Sequence, residues 1–138
     1  LKLEKLQIKS NLSNNDICFK IANNGRMEIQ SWFVEGINAK FIESNSVLTI
    51  GTTGPSEFKN CGSTIISMLS SFSTTKISHT KFIGNRSEKD AVVLFAKPLG
   101  LQTTSGDFRV SVDLCTFEYN GDLVATNGAV PVMNFIIE

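Results

Sequence analysis

The segments TKFIGNRS at residues 80–87 and CTFEYNG at residues 115–121 share one pattern, a Phe followed three positions later by an Asn. Two related segments, AKFIESNS at 39–46 and the weaker SEFKNCG at 56–62, carry the same Phe. The four Phe positions are separated by 17, 24 and 35 residues. A recurring unit of about 20–25 residues, interrupted by a longer insertion at 97–107, is typical of a solenoid of stacked coils. The predicted structural repeat residues are Phe41, Phe58, Phe82, Asn85, Phe117 and Asn120.

The rest of the chain consists of short apolar runs that favour β-strands. The runs are rich in Ile, Val, Phe and Thr and are bounded by Gly, Asn, Ser or Pro. The best helical candidate is 62–72, but its Ser and Thr side chains compete with helical backbone hydrogen bonds. We therefore predict an all-β fold. The predicted strands lie near Leu3 and Ile8 and at 27–33, 47–50, 76–82, 91–96, 108–117 and 130–137.

A parallel β-helix accounts for the repeat. Each coil of such a fold turns through about three short strands, and its inward Phe, Ile and Val side chains stack on the coils above and below. Asn at a corner can adopt the left-handed conformation, and stacked Asn amides hydrogen-bond to one another inside the bend. Because one coil cannot bury its own interior, several are needed, and about five to six fit this length. We predict that residues 1–138 form a single β-solenoid domain or a segment of a longer solenoid.

An antiparallel β-sandwich or jelly roll is the alternative fold. The Asn-Gly pairs at 24–25, 120–121 and 127–128 are signals for tight hairpin turns. A sandwich of this length is ordinary. Its strands, however, alternate regularly between tight turns, whereas the connections here are irregular in length.

The Phe-x-x-Asn elements at 82–85 and 117–120 resemble the repeats of the chlamydial polymorphic outer membrane proteins, and more broadly the right-handed parallel β-helix repeats of surface adhesins. In that family the element alternates with Gly-Gly-Ala-Ile-type strands. The nearest match here is NGAV at 127–130, and DAVV at 90–93 is more distant. The resemblance spans roughly residues 39–132. It implies a right-handed coil and a place in a surface adhesin.

Composition excludes several classes of protein. The 138 residues contain 13 Lys plus Arg and 13 Asp plus Glu, so the net charge is zero. Nucleic-acid footprints and polybasic membrane patches need a clustered positive excess, and we expect neither partner. The longest clean apolar run, at 91–96, is too short to span a bilayer. The chain starts at Leu1 and stops on an apolar pattern, so we expect either a module of a longer protein or ends covered by neighbouring subunits.

Few residues have the context that catalysis needs. Asp107, Arg109 and Asp113 alternate along one predicted strand and form the best acid/base candidate, although a solvated face is the simpler interpretation. His79, the single His, is placed inside a strand without a nucleophile motif. GTTGP at 51–55 lacks the Lys of a phosphate-binding loop and is interpreted as a turn. No metal-ligand or cofactor motif is present, so we predict a protein that is not an enzyme and has no cofactor.

Several residues bear on modification and packing. Asn11 and Asn85 lie in glycosylation sequons, although a corner Asn85 would turn its amide into the bend. Trp32 and Tyr119 are candidate carbohydrate-stacking side chains, with core packing the simpler role for Trp32. The three cysteines are interpreted as small buried hydrophobes, with one disulfide or a reactive thiol as the alternatives. They are Cys18, Cys61 and Cys115.

These observations predict a non-enzymatic, extracellular or cell-surface β-solenoid that serves as a stalk, adhesin passenger or fibre subunit. The expected partners are a second copy joined end to end, or a continuation of the same chain, with a glycan or host-surface ligand on the polar faces. The alternative function is a carbohydrate-binding or polysaccharide-degrading β-helix domain.

Overall fold

The computed structural model describes residues 2–4, 7–9, 17–88, 90–99, 108–121 and 130–136. Within these ranges the regular structure is entirely β. The strands are β1 (Lys2–Glu4), β2 (Gln7–Lys9), β3 (Ile17–Ile21), β4 (Arg26–Gln30), β5 (Phe33–Glu35), β6 (Lys40–Ser44), β7 (Val47–Ile50), β8 (Ser56–Lys59), β9 (Ile66–Ser70), β10 (Thr74–Ser78), β11 (Thr80–Ile83), β12 (Leu94–Leu99), β13 (Arg109–Asp113), β14 (Thr116–Glu118) and β15 (Met133–Phe135).

The described strands form three parallel sheets of five strands each. The first sheet is β1-β4-β7-β10-β13, the second is β2-β5-β8-β11-β14, and the third is β3-β6-β9-β12-β15. Each strand therefore pairs with the strand three places later in the chain, and three consecutive strands make one coil of a five-coil stack. Every strand pair in the described ranges is parallel, so the predicted parallel stacking is confirmed and the antiparallel sandwich is wrong.

The core is a set of side-chain columns that run along the stack. In a parallel ladder, residues in register share a face, so each inward side chain meets its counterpart one coil away. The innermost members are fully buried, including Ile29, Ile50 and Ile77 of the first sheet. The inward columns include Ile29, Ile50, Ile77 and Val112 in the first sheet, and Phe19, Ile42, Ile66, Leu94 and Met133 in the third.

In the second to fifth coils, the corners after the first and second sheets turn through a single left-handed residue placed directly after the strand. After β5, β8, β11 and β14 the chain turns through Gly36, Asn60, Gly84 and Tyr119, all with positive φ. The hydrogen-bond ladder continues through this corner, where the N–H of Gly36 donates to the Lys59 carbonyl at 3.0 Å. The corner between the first and second sheets is built in the same way. Its residues are Ser31, Gly51, His79 and Leu114, with φ of 55°, 74°, 47° and 51°.

Three local expectations need correction. His79 lies at a corner between β10 and β11, because the chain must turn there from the first sheet to the second. The helical candidate at 62–72 contains β9, whose Ile66 pairs in register with Ile42 and Leu94. The Asn24-Gly25 pair does form a turn, with Asn24 at φ 65°. It connects β3 to β4, which belong to different sheets, and so makes a corner instead of a hairpin.

The insertion predicted at 97–107 begins within β12, the last strand of the fourth coil. β12 pairs with β9 from Leu94 to Ala96, and its register shifts before Leu99. Residues 100–107 and the Asn127-Gly128 pair lie outside the described residues.

Candidate functional site

A column of aromatic rings runs up the second sheet. Phe58, Phe82 and Phe117 are in register on β8, β11 and β14. The Phe58 and Phe82 ring centroids lie 5.4 Å apart at an interplanar angle of 11°, and those of Phe82 and Phe117 lie 5.2 Å apart at 10°. The earlier coils place Ile8 and Val34 in this column. Stacking adds a geometric preference to the burial of apolar area, so the column fixes the register of successive coils.

Phe41 belongs to a different place in the fold. It lies on β6 of the third sheet, and its ring contacts Phe58 edge-on, with centroids 5.5 Å apart. The same ring also packs against Phe19 and Trp32. Phe41 therefore connects the aromatic column to a cluster in the first two coils and is not a member of the column.

The Asn residues of the repeat form a ladder at the corner after the second sheet. Nδ2 of Asn85 donates to the Phe58 carbonyl and to Oδ1 of Asn120, both at 2.9 Å. The Asn85 carboxamide oxygen accepts the Cys61 N–H at 3.0 Å. Nδ2 of Asn120 donates to the Phe82 carbonyl at 2.7 Å. Each amide thus bonds the backbone of the coil before it, and Asn85 joins three successive coils.

The position three residues after the column residue is not Asn in every coil. It is Ile37 after Val34 and Cys61 after Phe58, so among the described residues the ladder starts at Asn85. Cys61 is 2% exposed, and burial raises the pKa of its thiol to about 11. At neutral pH this thiol is protonated and is a poor nucleophile.

Of the two predicted glycosylation positions, Asn85 lies within the described residues. Asn85 is fully buried, and its Nδ2, the atom that would carry a glycan, makes two hydrogen bonds inside the corner. A glycan at Asn85 would have to break those bonds and open the coil. Asn11 lies outside the described residues.

The acid/base candidates lie on an open strand face. Arg109 and Asp113 are both exposed on β13, four residues apart along the strand, and Asp107 lies outside the described residues. In the described part of the chain, no group of three or more His, Cys, Asp or Glu side chains is arranged to hold a metal ion. His79 is exposed at its corner. Arg109 and Asp113 therefore lie on a solvated surface in the described part of the chain.

The amphipathic aromatics separate into one buried and one exposed residue. Trp32 is 1% exposed and packs on Phe19 and Phe41, so it belongs to the core. Tyr119 is 88% exposed at the corner of the fifth coil.

All three cysteines are free thiols, and Cys18 and Cys115 are only partly buried.

A buried amide that the repeat pattern did not indicate holds the loop at 51–54. The Gln30 side-chain oxygen accepts the N–H groups of Thr53 and Gly54 at 2.9 and 3.1 Å. Its Nε2 donates to the Thr52 hydroxyl at 2.7 Å. The GTTGP segment is therefore a turn between β7 and β8, clamped by the coil before it. β4 reads Arg-Met-Glu-Ile-Gln, so in the sequence Gln30 is one of three polar residues that alternate with apolar ones, and nothing marks it as buried.

The fifth coil exposes apolar side chains that are buried in the coils before it. Ile77 is fully buried, whereas Val112, its register partner, is 37% exposed. Phe82 is likewise fully buried and Phe117 is 36% exposed. β13, β14 and β15 are the last strands of their sheets within the described ranges. Other exposed apolar residues of this coil are Leu114, Tyr119 and Phe135.

The geometry defines a stack of parallel β-coils in the manner of a β-helix. No family model, curated protein or solved structure matches the chain. In the residues described, no helix is long and apolar enough to cross a membrane.

Proposed function

We propose that this chain is a non-enzymatic structural module, a β-solenoid rod of the kind used in surface stalks, adhesin passengers and fibre subunits. The observation that carries the proposal is the continuous interior of the stack. Aromatic and aliphatic columns fill the described coils, and the corner amides of Asn85 and Asn120 bond the third, fourth and fifth coils to one another. The polar groups at the corner are used to hold coils together and not to present chemistry.

The surface of the second sheet suits a solvated rod. Glu35 is in register with Lys59, and Glu57 is in register with Lys81. Opposite charges on neighbouring strands favour the observed register and oppose a slip by one residue, which would turn apolar side chains outward. Such a face keeps the rod soluble and leaves its polar surface open to a ligand.

The finer features of the proposal follow from general rules and from the resemblance of the repeat. Connections between parallel strands of one sheet are right-handed in about 98% of cases, so we propose a right-handed coil. The Phe-x-x-Asn elements resemble those of chlamydial surface adhesins and favour an extracellular or cell-surface location. The exposed fifth coil favours an end-to-end neighbour, which is a second copy or a further stretch of a longer solenoid.

The proposal is tested against the carbohydrate alternative with a panel of neutral and uronate polysaccharides. We expect the wild-type chain to release no oligosaccharide, and Asp113→Asn to leave both the fold and the result unchanged. Release by the wild-type chain that Asp113→Asn abolishes would establish the enzyme instead. Circular dichroism of the variant provides the control for folding.

A second measurement addresses the mechanical role directly. In a tandem polyprotein stretched by an atomic force microscope, the rod is expected to yield in steps of whole coils. One coil of about 24 residues corresponds to roughly 80 Å of released chain. Release of the whole chain in one event at forces too small to resolve would contradict a mechanical role.

A further inference from the structure

The last described strand of the first sheet, β13, carries opposite charges at equal distances on either side of its central residue, Ser111. β13 reads Arg109, Val110, Ser111, Val112, Asp113. Arg109, Ser111 and Asp113 are exposed, whereas Val110 and Val112 continue the inward columns of β10. One edge of β13 pairs with β10, and the other edge has no partner strand among the described residues. Among the described residues, β13 therefore presents an unpaired strand edge with opposite charges at its two ends.

An antiparallel copy of the same strand is complementary to this edge. If two β13 strands run in opposite directions with Ser111 opposite Ser111, then Arg109 of each copy lies opposite Asp113 of the other. Side chains opposite one another in an antiparallel pair lie on the same face, with Cβ atoms about 4.5–5.5 Å apart. Val110 then lies opposite Val112 on the inner face. A guanidinium carries five N–H donors, so Arg109 can bind this carboxylate in addition to contacts within its own chain.

We propose that two copies of this chain form a symmetric dimer through their fifth coils, with β13 paired antiparallel to itself about a twofold axis at Ser111. β13, β14 and β15 form the three sides of the fifth coil. A twofold axis through the middle of β13 exchanges the other two sides, so β14 of one copy lies along β15 of the other. The dimer covers the exposed ends of the inner columns, including Val112 and Phe117. The inference rests on the end-to-end association proposed above and specifies its partner and direction.

Charge favours this arrangement over a head-to-tail one. If the fifth coil of one copy lay on the first coil of the next in the register of the stack, Asp113 would be in register with Glu4, a residue of like charge. Glu118 would be in register with Lys9, a residue of opposite charge, so the two pairs offset one another. The symmetric dimer instead makes the Arg109–Asp113 pair twice and has no like-charge pair on β13. Its twofold symmetry also closes the assembly at two copies, whereas a head-to-tail contact continues into a filament.

Analytical ultracentrifugation of the 138-residue chain tests the proposal through one charge reversal. We expect the wild-type chain to dimerise, and Asp113→Arg to weaken the dimer about tenfold because two guanidinium groups then face one another in both symmetric pairs. The double variant Arg109→Asp/Asp113→Arg restores opposite charges and is expected to restore the dimer. Lys76→Glu, on the same face one strand away, is the matched control and is expected to leave the affinity unchanged.

The same charge reversal distinguishes the two directions of association. In a head-to-tail assembly Asp113→Arg would strengthen association, because the introduced guanidinium would then be in register with Glu4. That result, or a wild-type chain that stays monomeric, would overturn the proposal.

A crosslink identifies the axis. Ser111→Cys places two thiols opposite one another only in the symmetric dimer, and mild oxidation is expected to give a disulfide-linked species of twice the chain mass. Lys76→Cys is the control, since it lies in the same register column but not at the axis. Dimers linked equally well through both positions, or through neither, would contradict the twofold pairing. The polysaccharide and stretching measurements report on the structural role separately, so a monomeric rod would refute the dimer alone.

Discussion

At the scale of the residue, Asn85 does more for the fold than its small size suggests. Its amide accepts from the Cys61 N–H and donates to the Phe58 carbonyl and to Asn120. The backbone N–H of Asn85 donates to Oδ1 of Asn120 at 3.1 Å. Asn85 is fully buried, and its bonds to Cys61 and Phe58 lie where water cannot replace a lost partner. One side chain therefore satisfies the backbone of the coil before it and anchors the coil after it.

Replacing Asn85 by Ala is expected to reduce the free energy of unfolding by about 2–4 kcal/mol, because a buried N–H and a buried carbonyl lose their partner. Urea denaturation of the purified variant measures this change. Asn23→Ala provides the control, since Asn23 is an exposed residue of the turn after β3, and its effect is expected within about 0.5 kcal/mol. Equal losses in the two variants would show that the ladder contributes no specific stability.

At the scale of the element, the strands are short because left-handed residues end them. This conformation costs non-Gly residues about 1–2 kcal/mol, so its regular use at Asn60, His79 and Tyr119 shows that the coil geometry imposes it. The glycines at these corners differ in how closely other coils approach them. A Cβ on Gly51 would collide with the Ser78 carbonyl oxygen, whereas a Cβ on Gly36 would meet no atom within 4 Å. The two glycines share a conformation and differ in crowding.

This difference predicts different costs for the same substitution. Gly36→Ala is expected to cost about 1–2 kcal/mol, the conformational penalty alone. Gly51→Ala adds a backbone collision between neighbouring coils and is expected to cost more than about 4 kcal/mol or to prevent folding. Thermal and urea unfolding of the two variants provide the comparison. If Gly51→Ala were as stable as Gly36→Ala, the close approach of the third and fourth coils at this corner would be contradicted.

The sequence could predict those parts of the fold in which the same residue type recurs from coil to coil. It could not predict positions that are filled by different residue types in successive coils. The Phe58, Phe82 and Phe117 column and the Asn85–Asn120 pair were visible because identical side chains recur at the coil spacing. The position that Asn85 and Asn120 occupy in their coils is taken by Ile37 and Cys61 in the second and third coils. Neither of these side chains resembles Asn chemically, so the sequence does not show that the positions are equivalent. Phe41 shares the tripeptide Lys-Phe-Ile with Phe82 but lies on a different sheet, since three residues cannot specify which side of the coil they occupy.

The corners at His79 and Leu114 escaped prediction for a related reason. His79 and Leu114 are not turn-forming residues, and nothing local to them indicates a change of sheet. Their positive φ values are set by the stacking of neighbouring coils, in which the His79 N–H donates to the Asp113 carbonyl at 3.3 Å. The sequence did not predict the exposed edge of β13 either. The spacing of Arg109 and Asp113 suggests a pairing surface only when β13 is known to be the last described strand of its sheet.

At the scale of the whole molecule, stability should decrease from the centre of the stack towards its ends. Each coil is stabilised only by its neighbours, so an inner coil has two interfaces and the fifth has one in the described structure. The first sheet shows the gradient within one column, where Ile50 is fully buried and Val112 is 37% exposed. Amide hydrogen exchange resolves such differences, because local opening of the last coil needs less free energy than global unfolding.

Two truncations in that column test whether the stack behaves as a row of coupled units. Ile50→Ala leaves a cavity between inner coils, so a loss of about 2–5 kcal/mol and faster exchange in all five coils are expected. Val112→Ala removes a half-exposed side chain from the last coil, so faster exchange is expected only in β13, β14 and β15. Hydrogen-exchange mass spectrometry at concentrations that keep the chain monomeric separates this effect from association. If Val112→Ala accelerated exchange in β4 and β7 as much as in β13, the molecule would unfold as a single unit and the coil-by-coil description of its stability would be wrong.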